Sequence, residues 1–156
     1  MKSKPLKAAG LMMVGGVALM SHVRGADAKI STSGTVCNPF NAGEANDTDY
    51  VPSGVRNKAT SSRQVICAVP RHDLSGAASV TVSGTNTGAN TTSITLYSYD
   101  SLGNLKASIS NTGGPGLYLF GINLTAVQAP SDARLALLVT LPASFGGTFF
   151  GTRSDQ

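Results

Sequence analysis

The 156-residue sequence contains no tryptophan, only two histidines and only two cysteines. One histidine, His22, lies in a predicted export signal, which leaves His72 as the single imidazole of the remaining chain. Zinc sites built from several His and Cys ligands are therefore excluded. Charged residues make up 13% of the chain, so the sequence also lacks the dense charge runs of nucleic-acid-binding or disordered segments.

The N-terminal 28 residues have the pattern of a secretory signal peptide. Lysines at positions 2, 4 and 7 precede an uncharged stretch, and the small-residue sequence Ala26-Asp27-Ala28 follows it. The main apolar segment, Ala8 to Met20, is shorter than the roughly 20 apolar residues that cross a bilayer, so a membrane anchor is the less favoured alternative. We predict that residues 1–28 are removed and that a secreted or periplasmic protein without a membrane span remains.

Processing changes the charge balance. Four of the 12 basic residues and one of the 8 acidic residues lie in 1–28, which leaves eight and seven and a net charge of +1. A nucleic-acid-binding protein is expected to keep a concentrated basic stripe. The nearest approach to one is Arg56, Lys58, Arg63 and Arg71, which we interpret as solvated loop charges, so no nucleic-acid partner is predicted.

The two cysteines, Cys37 and Cys67, are expected to form a disulfide in an oxidising compartment. They close a polar segment, 37–67, which is dense in Asn, Asp, Ser, Gly and Pro and would bury little apolar area by itself. The bond would tie this segment to a strand, Gln64 to Val69, whose inward face carries Cys67 between two valines. A free nucleophilic thiol at Cys67 is the alternative.

The rest of the chain reads as strands separated by turn residues. Each strand is β-branched or alternating in pattern, and the segments after Val69 are "ASVTVSG", "SITLYSYD", "NLKASIS", "GLYLFGINLT", "ARLALLVTLP" and "GTFFGTR". Seven to eight strands without a long helix predict a single all-β domain, 29–156, folded as an antiparallel β-sandwich of the jelly-roll or Ig-like type. A small β-barrel is the alternative. The run "RLALLVTL" predicts a central strand, and Gly121 predicts a bulge or a close backbone approach.

Several residues resemble a group of small exported bacterial proteins of uncharacterised function. The resemblance rests on Cys37, Tyr50, Gly54-Val55 and Asn57, then on "VICAVPR", "TLYSYDSLGN" and "LVTLP". It implies a secreted β-rich protein without an established activity. Members of that group carry another cysteine pair near the positions of Ile94 and Val139, so the resemblance implies that these two residues face each other in the core.

A Ser-His-Asp arrangement would have to use His72, whose neighbours include Asp73 and Ser75. The favoured interpretation is a surface turn after Pro70, in which the Asp and Ser side chains bond to nearby backbone. We therefore predict no catalytic residue. A small secreted hydrolase using His72 remains an alternative.

The acidic segment Glu44–Asp49 carries side-chain oxygen ligands at alternating positions. They belong to Glu44, Asn46, Asp47 and Asp49. Such side chains could hold Ca²⁺, but the segment lacks the complete calcium-loop pattern and its distal glutamate. A solvated loop is favoured, and no metal or cofactor is predicted.

Tyr97 and Tyr99 are the candidate ligand-binding residues. If Ile94 and Leu96 point inward, both tyrosines point outward, with rings roughly 6.6–6.8 Å apart. The pair could form a platform for a sugar, although packing across to a neighbouring strand is favoured because the chain has no Trp. We predict an exported, non-catalytic binding or surface-structural module whose partner is a carbohydrate or cell-surface component. A subunit of an extracellular polymer, joined through exposed strand edges, is a further alternative.

Overall fold

The computed structural model describes residues 29–71 and 76–155. These residues form eleven strands and two short 3₁₀ turns, at Gly34–Val36 and Ala42–Asp47. The strands are β1 (Lys29–Ser33), β2 (Asn38–Pro39), β3 (Thr48–Val51), β4 (Gly54–Asn57), β5 (Arg63–Val69), β6 (Ala78–Asn86), β7 (Thr92–Tyr99), β8 (Leu105–Gly113), β9 (Gly116–Leu124), β10 (Arg134–Leu141) and β11 (Gly147–Asp155).

The strands pair antiparallel in two sheets. The six-stranded sheet has the order β3-β4-β11-β6-β9, with β1 paired to one half of β11, and the five-stranded sheet has the order β2-β5-β10-β7-β8. The predicted antiparallel β-sandwich is confirmed, and the barrel alternative is wrong because the strands form two separate sheets. The "RLALLVTL" segment is β10 and lies in the middle of its sheet, as predicted.

The core follows the two-residue period of the strands. In β10 the side chains at 135, 137, 139 and 141 are buried and those between them are half-buried, while β6 alternates in the same way over nine residues. Ile94 and Val139 are register partners on β7 and β10, and both are fully buried. The contact expected between them is confirmed.

The disulfide between Cys37 and Cys67 is also present, and each cysteine is only 2% exposed. Tyr50 supports it, because its hydroxyl donates a hydrogen bond to the carbonyl oxygen of Cys37 at 2.9 Å. The bond joins the residue directly before β2 to the middle of β5.

The polar N-terminal segment has more regular structure than its sequence indicates. The predicted strands correspond to β5–β11, and four shorter strands, β1–β4, precede them. β1 and β4 both pair with β11, and β2 pairs with β5. These strands form because longer strands elsewhere in the chain offer their backbone groups, which local sequence does not reveal.

The prediction for Gly121 is wrong. Gly121 pairs in regular register with Thr81, and no described atom lies within 4 Å of the position that its Cβ would occupy. The register shifts occur instead at Phe150 in β11 and at Lys106 in β8. The interruption of an apolar run by glycine therefore did not mark irregular backbone here.

Three of the four predicted solvated loop charges are engaged in the structure, which corrects that interpretation. Arg56 lies in β4 and donates to Asp49 at 2.6 Å, and Arg63 begins β5 and donates to Asp47 at 2.7 Å. Arg71 donates to three backbone carbonyls. Arg56 and Arg63 lie with their acidic partners inside the disulfide-closed segment 37–67, so these two ion pairs hold parts of that segment to each other.

Within 29–71 and 76–155, no helix is long and apolar enough to cross a membrane. The predicted signal peptide, 1–28, lies outside the described residues, as do His72, Asp73 and Ser75.

Candidate ligand-binding trough

Six side chains enclose a cavity of about 230 Å³ on the outer face of the five-stranded sheet. Three are aromatic and three are aliphatic, and together we call them the tyrosine trough: Phe40, Ile66, Tyr97, Tyr99, Ala136 and Leu138. An apolar lining of this kind is typical of ligand sites, although a volume of 300 Å³ or more is usual for drug-sized ligands.

The tyrosine wall follows from the alternation of β7. Ile94 and Leu96 are fully buried on the inner face, so Tyr97 and Tyr99 lie on the outer face, where both are half-buried. Their ring centroids are 6.2 Å apart, slightly closer than predicted, and the ring planes differ by 21°. The two rings therefore form one continuous stacked surface along the strand, and they also pack beside the neighbouring strand β10.

The floor and the opposite wall come from β10, β5 and the residue after β2. Ala136 is the register partner of Tyr97, and Leu138 is the register partner of Ile66. Because adjacent strands lie about 4.8 Å apart, the backbones of β5 and β7 are separated by about 9–10 Å across β10. Phe40 is held beside β5 by a hydrogen bond from its backbone N–H to the carbonyl of Gln64, at 2.8 Å.

Polar groups border the apolar centre. On the β8 side, the hydroxyls of Thr95 and Ser110 are 2.9 Å apart, and at the other end of β10 Gln64 lies 3.4 Å from the hydroxyl of Thr140. Arg134 is the register partner of Tyr99 and is exposed. A ligand lying in the trough would thus meet rings and methyl groups beneath it and hydrogen-bonding groups at its rim.

The turn after β7 carries a carboxylate next to the trough, but this group has a structural role. Asp100 accepts hydrogen bonds from the side chain and backbone of Asn104, which lower its pKa to about 2. Lys106 adds an ion pair at 3.2 Å. Asp100 therefore stays ionised near neutral pH and holds the turn, so it does not serve as a proton donor.

The acidic segment is arranged around arginines. Glu44 and Asp47 lie on the 3₁₀ turn, with oxygens 3.8 Å and 2.7 Å from Nε of Arg63, and Asp49 pairs with Arg56. Across the part of the chain that the structure describes, no three His, Cys, Asp or Glu residues form a group that could hold a metal ion. The carboxylates of this segment neutralise strand arginines.

Sequence alone predicted one wall of the trough and missed the other. The period of β7 predicted that Tyr97 and Tyr99 point outward, and the run "RLALLVTL" predicted the central strand that carries Ala136 and Leu138. No sequence signal identified Phe40, because its place depends on β2 pairing with β5. The structure brings the predicted tyrosines together with residues far away in the chain.

The fold and this sheet-face site define a two-sheet antiparallel β-sandwich with an apolar trough on one outer face. No family model matches the chain, and no curated protein matches it. Among solved structures, the chain is similar to the xylan-binding module CBM15, with 7% identity and a TM-score of 0.54 over 83% of this chain and 97% of that one. It is also similar to the CBM36-1 domain of a multidomain xylanase from the hindgut metagenome of Trinervitermes trinervoides, with 13% identity and a TM-score of 0.50 over the same two shares. These likenesses establish the fold.

Proposed function

We propose that the chain is an exported, non-catalytic β-sandwich module that binds a carbohydrate in the tyrosine trough. The observation that carries the proposal is the stacked pair of Tyr97 and Tyr99, which lines an aliphatic-floored cavity on an exposed sheet face. Flat ring surfaces match the apolar faces of sugar rings, and the polar rim matches their hydroxyls.

The lining of the trough supports binding without catalysis. None of its six residues is Asp, Glu or His, so the pair of carboxylates that most glycoside hydrolases use has no counterpart there. The disulfide fits an oxidising compartment and so supports export. One of the similar folds is a xylan-binding module, which makes xylan the first polysaccharide to test.

The test compares the mature chain, 29–156, with variants in affinity gels that contain soluble xylan, mixed-linkage glucan, galactan or mannan. We expect retardation by at least one polysaccharide, and loss of about tenfold in affinity or more for Tyr97→Ala. Tyr97→Phe should bind nearly as well as the wild type because it keeps the ring. Val127→Ala, at an 86% exposed loop position away from the trough, is the matched control.

Two outcomes would contradict the proposal. The first is a folded wild-type chain that migrates normally through every polysaccharide. The second is retardation that Tyr97→Ala and Tyr99→Ala both leave unchanged, because binding would then occur elsewhere on the molecule.

A second candidate function, a subunit of an extracellular polymer, is favoured by β9. This edge strand is nine residues long and carries no charged residue, and Leu117 and Leu119 are 77% and 71% exposed. Exposed edge strands without charge can pair with another chain. Sedimentation over a wide concentration range tests this function: self-association that Leu119→Lys abolishes supports it, and a monomer at all concentrations contradicts it.

A further inference from the structure

A second cavity, of about 430 Å³, opens on the outer face of the six-stranded sheet, on the side of the sandwich opposite the tyrosine trough. Its central part is formed by four hydroxyl side chains, one ring and one glycine. We call this set the hydroxyl groove: Ser31, Ser33, Thr81, Ser83, Phe150 and Gly151.

The groove results from the bulge in β11. The register with β6 shifts between Phe149 and Gly151, so one extra residue, Phe150, is inserted at this point. Phe149 is fully buried in the core, whereas Phe150 is half-buried and lines the groove. The bulge therefore sets a phenyl ring on the outer face directly beside a position without a side chain.

Gly151 cannot be replaced by a larger residue without disturbing the sheet. Its φ is 141°, and a Cβ there would collide with the carbonyl oxygen of Thr32 in β1. Because the backbone of β1 lies directly against Gly151, no side chain can occupy this position. The backbone of β11 thus fixes both the Phe150 ring and the position without a side chain at Gly151.

Hydroxyl groups flank Gly151 on both neighbouring strands. Gly151 has Ser33 of β1 as its register partner on one side and Ser83 of β6 on the other. One row further along, Ser31 and Thr81 flank Arg153 of β11 in the same way. Six of the ten lining residues are Ser or Thr and none is acidic, so the groove offers groups that both donate and accept hydrogen bonds.

We propose that the hydroxyl groove is a second saccharide-binding site, which takes a neutral sugar unit; the ligand class rests on the proposed function. A cationic ligand would find no carboxylate in the lining, and a polyanion would find a single arginine. The hydroxyls of a neutral sugar can form hydrogen bonds with the paired Ser and Thr hydroxyls, and an apolar face of its ring can pack on Phe150. The volume lies in the range of small-molecule sites, about 300–1,000 Å³.

Two sites on opposite faces would make one domain bivalent. Each site would hold a different polysaccharide chain, because the two sheets lie between the sites and a single chain would have to wrap around them. The module would then crosslink chains at concentrations where either site alone binds weakly.

An NMR titration of the ¹⁵N-labelled chain 29–156 with xylohexaose, and separately with cellohexaose, tests the proposal. Amide signals of Gly151 and Ser83 report on the groove, and those of Ala136 and Leu138 report on the trough. We expect saturable shifts in both sets with at least one sugar. Phe150→Ala should weaken the groove response by up to about tenfold and leave the trough response unchanged.

Thr81→Val serves as a second variant in case Phe150→Ala disturbs the bulge. It removes one hydroxyl and keeps the shape of the side chain. It should also weaken the groove response alone. Tyr97→Ala should do the reverse, weakening the trough and leaving the groove. With polymeric xylan or glucan, the wild type should raise the viscosity of the solution, and each single-site variant should not.

The outcomes separate the two sites. Shifts at Ala136 and Leu138 without shifts at Gly151 and Ser83 overturn the second site and leave the trough intact. Shifts in the groove alone support the second site and contradict the trough. Silence in both sets with both sugars overturns the two together.

Discussion

Removal of the Cys37–Cys67 disulfide should lower the free energy of unfolding by about 3.6 kcal/mol, from the loop-closure entropy that a closed loop of this length removes from the unfolded chain. The loop length entering this value is the separation of 30 residues between the two cysteines. The loss is large beside a typical domain stability of about 5–15 kcal/mol.

The folded state should survive this change. The hydrogen bond from Tyr50 to the Cys37 carbonyl, at 2.9 Å, does not depend on the sulfur atoms. Asn38 still pairs with Ile66 in the ladder between β2 and β5. The effect is therefore expected in the unfolded state, which gains freedom once its two segments are no longer joined.

Urea unfolding of the wild type and the Cys37→Ala/Cys67→Ala variant measures the difference. With an m-value of about 2 kcal/mol/M, the midpoint should fall by about 2 M. Adding a reducing agent should bring the wild type down toward the variant and should not affect the variant. A midpoint change under about 0.5 M, or a variant that no longer folds in buffer, would refute the reasoning.

Three further predictions concern single side chains. Asn86 is buried, donates to two backbone carbonyls at 2.9 Å and accepts a hydrogen bond from Thr92 at 2.7 Å. Asn86→Ala should therefore lower the free energy of unfolding, measured in urea, by about 3 kcal/mol. The control Asn90→Ala, at an exposed position, should lower it by less than about 1 kcal/mol. The buried hydroxyl of Tyr118 has no hydrogen-bond partner among the described residues, so Tyr118→Phe should stabilise by about 1 kcal/mol. Burial also raises the pKa of Tyr118 to about 12, so the wild type should lose stability above about pH 10, where the unfolded tyrosine ionises first, and Tyr118→Phe should lose less. The pKa of Asp100 is lowered to about 2, so its stabilisation is present above about pH 4 and is lost as the pH falls toward 2; Asp100→Asn should flatten acid unfolding in that range.

The long strands were predictable because their patterns are local. β7 and β10 alternate buried side chains with half-buried or exposed ones over eight residues, and this period is present in their sequences. The short strands were not. β2 has only two residues, and it is a strand because Ile66 and Val65 of β5 offer it partners.

The positions of two arginines also depend on partners that local sequence does not reveal. Arg56 and Arg63 looked like loop residues, because the carboxylates that neutralise them lie seven and sixteen positions away in an irregular polar stretch. The sequence could show that opposite charges were present. Only the folded chain shows that β3 places Asp49 across from Arg56 in register.

The position of Phe40 explains what the polar segment contributes to the candidate site. The disulfide fixes Cys37 against β5, and β2 follows at once, so Phe40 is only three residues from a covalent anchor. Its backbone hydrogen bond to Gln64 then places the ring beside Ile66, across β10 from the tyrosines. Without Phe40, the outer face of the sheet would carry Tyr97 and Tyr99 with no aromatic ring on the opposite side of β10. The polar segment therefore supplies the second wall of the trough, through the pairing of β2 with β5 and the backbone hydrogen bond of Phe40, which the disulfide lies beside.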